Sequence, residues 1–227
     1  MAKKNPPSWS DEKDRKQKDA THLAAMENAE SNGNGAAAKD KTKIVLPLMD
    51  IRPIQVKVVG ESSLICHRWS EKAMATLIGR QTGEATAGRE KKNPEQDYLG
   101  SLYPHPDGGY GFPTIAFKKA MVAACTSLGR SITKVQARQA FHIMGELVKI
   151  EGKPNRRQDM VRVDNDKADV RYRGEFKEWS CTLTIRYNAR VLSAEQIINL
   201  LNIAGFGVGV GEWRIEKDGN HGMFRVA

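Results

Sequence analysis

Residues 204–214 read Ala-Gly-Phe-Gly-Val-Gly-Val-Gly-Glu-Trp-Arg, and Gly219 and Gly222 follow shortly after. Six glycines therefore fall within eighteen residues, which costs backbone entropy that an ordinary connection would avoid. Glycine is useful where main-chain amides must closely approach phosphate oxygens or a neighbouring backbone. Two interpretations stay open: a loop that binds phosphate, and a loop that packs against its own sheet.

The glycine spacing does not match a nucleotide-cofactor motif. No G-x-G-x-x-G precedes a helix, and no Gly-Lys-Ser/Thr occurs in the chain. The sequence also lacks H-E-x-x-H, a Cys/His cluster and a calcium-binding loop. We therefore predict no cofactor and no metal.

A helix and a strand flank the glycine-rich stretch. Ser193 and Gln196 have capping-box spacing, and apolar residues then recur at helical intervals up to Ala204. We expect a helix from Ser193 to Ala204 that ends at Gly205, because glycine is the usual residue after a helix. Residues 223–226 read as a short strand, so the order is helix, glycine-rich loop, strand.

The rest of the chain supplies one more strong helix and three strands. Alternating apolar residues predict strands over 51–59 and 179–187, and a short apolar run predicts a further strand over 147–150. Residues 113–129 carry an apolar stripe at helical spacing. The resulting βαββαβ order predicts an α+β, ferredoxin-like fold, in which two helices cover one face of a four-stranded antiparallel sheet.

The sequence divides into a tail and one domain. Residues 1–43 are polar and rich in charge, and we predict that they form a disordered tail. We expect residues 44–227 to form a single ferredoxin-like domain with insertions at 60–112 and 151–178.

The charge of the chain favours a polyanionic partner. The net charge is +9, and the tail contributes only a small part of it, with nine basic against seven acidic residues. On the predicted open sheet face the cations are Lys57, Lys149, Arg186 and Arg225. Three unpatterned cysteines, the absence of a long apolar run and the lack of a signal peptide predict a cytoplasmic protein with no membrane segment.

The topology and the loop together resemble the RAMP superfamily, ferredoxin-like proteins that build CRISPR effector complexes and process CRISPR RNA. The match rests on residues 205–211 and 219–222, which occupy the position of the superfamily's glycine-rich loop between the second helix and the fourth strand. The two insertions resemble the fingers and thumb of the effector backbone subunits. The resemblance implies binding of a single strand along its sugar-phosphate backbone, and stacking of subunits into a filament. The sequence also resembles bacteriophage proteins.

The residues that we expect to bind nucleic acid combine cations with exposed aromatic side chains, since phosphates meet cations and bases stack on rings. Trp213 and Arg214 follow the glycines directly, although Trp213 could instead fill the core under the loop. His67, Arg68 and Trp69 precede a predicted helix, where the tryptophan could also pack on the sheet edge. The full set comprises Lys57, His67, Arg68, Trp69, Lys149, Arg156, Arg157, Arg186, Gly205, Gly207, Gly209, Gly211, Trp213, Arg214 and Arg225.

Three functions follow from these features. We predict non-catalytic binding of single-stranded RNA or DNA, by a homo-oligomer or within a larger nucleoprotein assembly. One alternative is a RAMP-type endoribonuclease that uses His67 or His221 as a general base. The other is a structural or adaptor protein of a phage, in which the glycines serve subunit packing.

Overall fold

The structure is a computed structural model that describes residues 46–69, 71–83, 91–129, 131–163 and 167–227. Residues 48–227 form one compact unit. The predicted tail, residues 1–43, lies outside the described residues.

The main sheet has four strands, all antiparallel to their neighbours. Strand β1 (Ile51–Gly60) pairs on one side with β10 (Phe224–Val226) and on the other with β9 (Ser180–Asn188). The fourth strand, β5 (Phe141–Ile143), pairs with the outer side of β9. The spatial order β10-β1-β9-β5, with a helix after β1 and another after β9, is the ferredoxin-like arrangement. The predicted α+β fold class is confirmed.

Two helices cover one face of this sheet. Helix α3 (Thr114–Ala124) continues into a 3-10 turn (Cys125–Leu128), and α5 (Ala194–Gly207) packs beside it. The core between helices and sheet is apolar and fully buried, with Phe117, Met121, Leu201, Ile185 and Phe224 among its largest side chains. Burial alternates along β9, as its sequence predicts, so the polar residues of that strand point to the opposite, open face.

The second strand of the sheet differs from the predicted one. Residues 147–150 were expected to fill this place, and the structure does contain a strand there, β6 (Leu147–Lys149). However, β6 pairs with β4 (Tyr110–Pro113), which in turn pairs with β3 (Tyr103–Pro104) in a separate three-stranded sheet. Strand β5 instead follows directly after a short helix, α4 (Lys134–Ala140).

The segments between the core elements form a third sheet and two further helices. Between β1 and α3 lie β2 (Leu64–Cys66), α1 (Glu71–Thr82), α2 (Pro94–Ser101), β3 and β4. Between β6 and β9 lies a long hairpin of β7 (Pro154–Val163) and β8 (Lys167–Phe176). Because β2 pairs with β8, the two segments join in one sheet of order β2-β8-β7.

Helix α5 runs past the glycine that was expected to end it. The capping box of Ser193 and Gln196 is present, but the helix continues through Gly205 to Gly207. Gly205 is buried against β10, and a Cβ at this position would overlap the carbonyl oxygen of Phe224. Gly205 therefore serves close packing of helix on strand, and the irregular loop begins at Val208.

Replacement of Gly205 by alanine tests this packing. Gly205→Ala should lower the free energy of unfolding by about 1–3 kcal/mol, because the methyl group forces α5 away from β10. In the matched control Gly207→Ala, the new methyl group meets nothing within 4 Å, so stability should stay unchanged or rise by up to about 1 kcal/mol. Urea denaturation of both variants measures the difference, and equal stability would contradict the packing role.

Candidate functional site

The two segments that the sequence singled out as aromatic and basic meet at one place. The glycine-rich loop, residues 208–222, lies along β2: the amide of Glu212 donates to the carbonyl of Ile65 at 3.0 Å, and the amide of Gly222 donates to that of Ser63 at 2.8 Å. We call the surface formed by residues 67–69 and 212–214 the junction. It brings two tryptophans, two arginines and a histidine–glutamate pair onto adjoining backbone segments.

A side-chain contact ties the two halves of the junction together. His67 Nδ1 lies 2.8 Å from Glu212 Oε1. The hydrogen bond from His67 holds the pKa of the Glu212 carboxyl below its ordinary value, with the nearby Arg173 and Arg214 charges adding to the effect. Glu212 thus fixes the orientation of the imidazole and leaves its Nε2 edge for another partner.

Both tryptophans of the junction are exposed. Trp69 is 62% exposed and Trp213 is 41% exposed, so Trp213 does not fill the core under the loop. Trp213 also has a φ of +53°, a left-handed conformation that is strained for a bulky side chain. The amides of His221 and Gly219 donate to the carbonyls of Trp213 and Arg214 at 3.0 and 3.1 Å, and these bonds hold the strained turn in place.

Three glycine amides of the loop, those of Gly209, Gly219 and Gly222, already have partners within the protein. Gly209 N donates to Ala204 O at 2.9 Å, and Gly222 N and Gly219 N take part in the bonds described above. Gly211 has a φ of +86°, and a Cβ there would come within 2.6 Å of the Ile65 carbonyl oxygen. The loop therefore packs within the protein, as one of the two open interpretations held, but its partner is β2 of the β2-β8-β7 sheet and not the sheet that contains β10. Binding of phosphate by Gly205, Gly207, Gly209 and Gly211 stays a prediction.

The open face of the main sheet carries most of the cations predicted for it. Lys57, on β1, lies opposite Thr182, and Arg186, on β9, lies opposite His142. Lys57 pairs with Glu151 at 3.5 Å, and Arg225, at the edge strand, with Glu61 at 3.6 Å.

Lys149 does not lie on the main sheet, where the sequence predicted it. It belongs to β6 and not to the four-stranded sheet, because β6 pairs with β4. Its Nζ donates to Asp107 O at 3.3 Å. With Thr182 and Thr184 it still lines a small pocket of about 170 Å³, so it borders the open face from a neighbouring sheet.

The predicted arginine pair of the hairpin is split between two environments. Arg156 is exposed and pairs with Glu95 at 3.3 Å. Arg157 is half-buried and contacts both Asp159 and Glu175, at 2.8 and 2.9 Å, and Asp159 also accepts from the buried Arg173. The Arg157 guanidinium thus belongs to a charge network inside the hairpin, whereas Arg156 faces solvent.

Three further observations concern metal ligands, cysteines and the length of the helices. In the described part of the chain, no group of three or more His, Cys, Asp or Glu residues is arranged to hold a metal ion. The three cysteines are buried, and burial raises the pKa of Cys66 and of Cys181 to about 12. Among the described helices, none is both long and apolar enough to cross a membrane.

Sequence reasoning did not identify Glu212 as a site residue. Its partner His67 lies 145 residues earlier in the chain, so no local spacing indicates the pair. His221 is half-buried, and its backbone bridges to that of Arg214. The sequence signal that could have indicated a role for Glu212 is its position between Gly211 and Trp213.

Comparisons with known proteins give a likeness to solved structures only. Neither a protein family nor a curated protein matches this sequence. Among solved structures, the chain is similar to Cmr6 from Pyrococcus furiosus, with a TM-score of 0.43 and 11% sequence identity over 79% of this chain and 100% of that one.

The His67–Glu212 pair gives a prediction for stability against pH. Because the native pKa of Glu212 is lowered from 4.5, the ionised carboxylate stabilises the fold above that value, and the contribution is lost as pH falls through the native pKa. Glu212→Gln should therefore be less stable than the wild type at roughly pH 6, with the gap closing at roughly pH 3. Urea denaturation at both pH values measures it.

Glu178→Gln, which removes an exposed carboxylate, is the matched control for this experiment. A gap between the wild type and Glu212→Gln that stays constant across the pH range would show that ionisation of the Glu212 carboxyl does not stabilise the junction.

Proposed function

We propose that this protein binds single-stranded RNA or DNA along its sugar-phosphate backbone, without catalysis, and that the junction is the centre of the binding surface. The observation that carries this proposal is the meeting of Trp69 and Trp213, both exposed, with Arg68 and Arg214 on adjoining segments. Aromatic rings beside cations are the combination that binds single strands without reading their sequence.

Large exposed aromatic side chains need a reason in a folded protein. Full exposure of a large apolar side chain forgoes a burial free energy of about 1.5–3 kcal/mol. Trp69, which is 62% exposed, forgoes the larger part of this amount, and Trp213, which is 41% exposed, a smaller part. The left-handed backbone at Trp213 adds a further cost of about 1–3 kcal/mol. Stacking on a base offsets these costs only when a strand is bound, which supports a binding role over a purely architectural one.

The cations around the junction can bind phosphates at a small cost in free energy. Arg214 pairs with Glu216 at 2.8 Å, and both side chains are partly exposed. Exposed ion pairs of this kind contribute about 0–1 kcal/mol, and the same holds for the pairs of Lys57 and Arg225. A phosphate can therefore displace these carboxylates, whereas the two-carboxylate network around Arg157 resists opening.

The assembly state forms part of the same proposal. The glycine-rich loop between α5 and β10 is the feature that resembles the RAMP superfamily, and that resemblance supports a homo-oligomer or a larger nucleoprotein assembly. Bound strands would then run across several copies, and binding should be largely independent of sequence, because phosphate contacts carry no base information.

Loss of the loop tryptophan gives the direct test. Trp213→Ala should weaken binding of a labelled single strand by roughly 1–3 kcal/mol, the usual loss of one stacked base. Arg214→Ala should weaken binding and also reduce its dependence on salt, because one phosphate contact disappears. Fluorescence anisotropy with single-stranded RNA and single-stranded DNA, each at two salt concentrations, measures both effects and identifies the preferred strand.

Arg190→Ala is the matched control. Arg190 is exposed and follows β9, close to the start of β1, whereas the junction lies beyond the opposite end of β1. It removes one charge without touching the junction. No binding by the wild type at low salt would overturn the proposal and favour the adaptor alternative. Binding that is equally weakened by Arg214→Ala and Arg190→Ala, and unchanged in the uncharged substitution Trp213→Ala, would show that net charge, and not the junction, is responsible.

The His67–Glu212 contact favours a second candidate function, endoribonucleolytic cleavage. A carboxylate that fixes a histidine by one ring nitrogen leaves the other nitrogen to accept a proton from a ribose 2′-hydroxyl. Incubation of end-labelled RNA without added metal tests this function. Cleavage by the wild type that disappears in His67→Ala and persists in His221→Ala would establish it, and intact RNA would exclude it.

A further inference from the structure

A second basic site lies on the helical side of the protein, outside the junction. A pocket of about 330 Å³, open to solvent, lies between helices α3 and α4. Its rim carries four cationic side chains, Lys118 and Lys119 from α3 and Lys134 and Arg138 from α4. Lys134 and Arg138 are four residues apart on one helix and therefore share a face.

The floor of this pocket is apolar, and no acid lines it. Ile115, which is 53% exposed, lines the pocket together with Val122 and Ala123. Neither Asp nor Glu is present among the described residues that form the lining. Four like charges over an apolar floor repel one another, so an anion with an apolar body would stabilise the arrangement.

The pocket is connected to the open face of the main sheet around the β5 edge. Lys118 Nζ donates to His142 Nδ1 at 3.0 Å, and His142 lies directly opposite Arg186 on β9. Burial lowers the pKa of Lys118, and the pKa of His142 is lowered by burial and by the charges of Lys118 and Arg186. The crowding of cations thus continues from the helices to the sheet.

We infer that this pocket is a second contact for the bound single strand, where Lys118, Lys119, Lys134 and Arg138 hold phosphates and the apolar floor receives a sugar or base. The inference rests on the proposed function. A strand that crosses the open sheet face would turn around β5, past Arg186 and His142, and enter the pocket.

A nucleic-acid strand fits this surface better than an acidic peptide. A strand carries a charge on every unit, and beyond the pocket the contact between Lys118 and His142 leads to a further cation, Arg186. The four rim cations also lie within one pocket, where successive phosphates of a single strand can contact more than one of them. An acidic peptide would need only the pocket and would gain nothing from Arg186.

The experiment compares Lys134→Ala/Arg138→Ala with the wild type, using a fluorescein-labelled oligouridylate over a range of salt concentrations. Both residues are exposed and helical, so alanine should preserve the fold. If the strand contacts both, the slope of log affinity against log salt should fall by roughly 0.7 for each lost phosphate contact. The charge-retaining variant Lys134→Arg/Arg138→Lys is the matched control and should keep the wild-type slope.

A second measurement locates the strand directly. An oligouridylate that carries 4-thiouridine should crosslink to a peptide from residues 115–123 or 134–138, and mass spectrometry of the digest identifies it. Wild-type binding with an unchanged slope in the alanine variant and no crosslink in these peptides would overturn this inference alone. Absence of wild-type binding would overturn the proposed function as well. Salt-sensitive binding of poly-glutamate that only the alanine variant loses, with strand binding intact, would assign the pocket to an acidic peptide.

Discussion

The backbone hydrogen bonds between the glycine-rich loop and β2 are the constraint on which the candidate site depends. Strand β2 uses one side to pair with β8, and its other side receives the amides of Glu212 and Gly222. This contact covers an open strand edge, which would otherwise expose unpaired carbonyls. It also fixes the relative positions of two segments far apart in sequence, and so the His67–Glu212 pair and the two exposed tryptophans follow from it.

The two basic surfaces of the protein differ in how their charges are balanced. At the junction and on the open sheet face, Lys57, Arg214 and Arg225 each have a carboxylate nearby, which partly offsets their charge in the free protein. The pocket between α3 and α4 has no such partner in its lining. Salt should therefore weaken ligand contacts at the pocket more strongly than at the junction, because fewer internal pairs compete for the cations.

The sequence predicted the long elements well and the short ones poorly. The capping box of α5 and the alternation of β9 are strong local signals, and both are present. By contrast, β5 and β6 have three residues each, too few for periodicity to decide which one joins the main sheet. Their pairing is set by tertiary contacts, and the same applies to Glu212, which finds His67 across the fold. Gly205 was placed in the loop because local statistics favour a helix end there, whereas the close approach of β10 explains why glycine occupies a helical position.

The central position of β1 has a consequence for how the chain acquires its structure. Strand β1 occurs early in the sequence, but both of its neighbours, β9 and β10, come from the last part. During synthesis on the ribosome, β1 therefore remains without its hydrogen-bond partners until β9 and β10 have been synthesised. Such distant pairing makes folding slow and leaves an apolar strand open to aggregation in the meantime. A nascent chain of this protein should accordingly benefit from a chaperone until β10 is released.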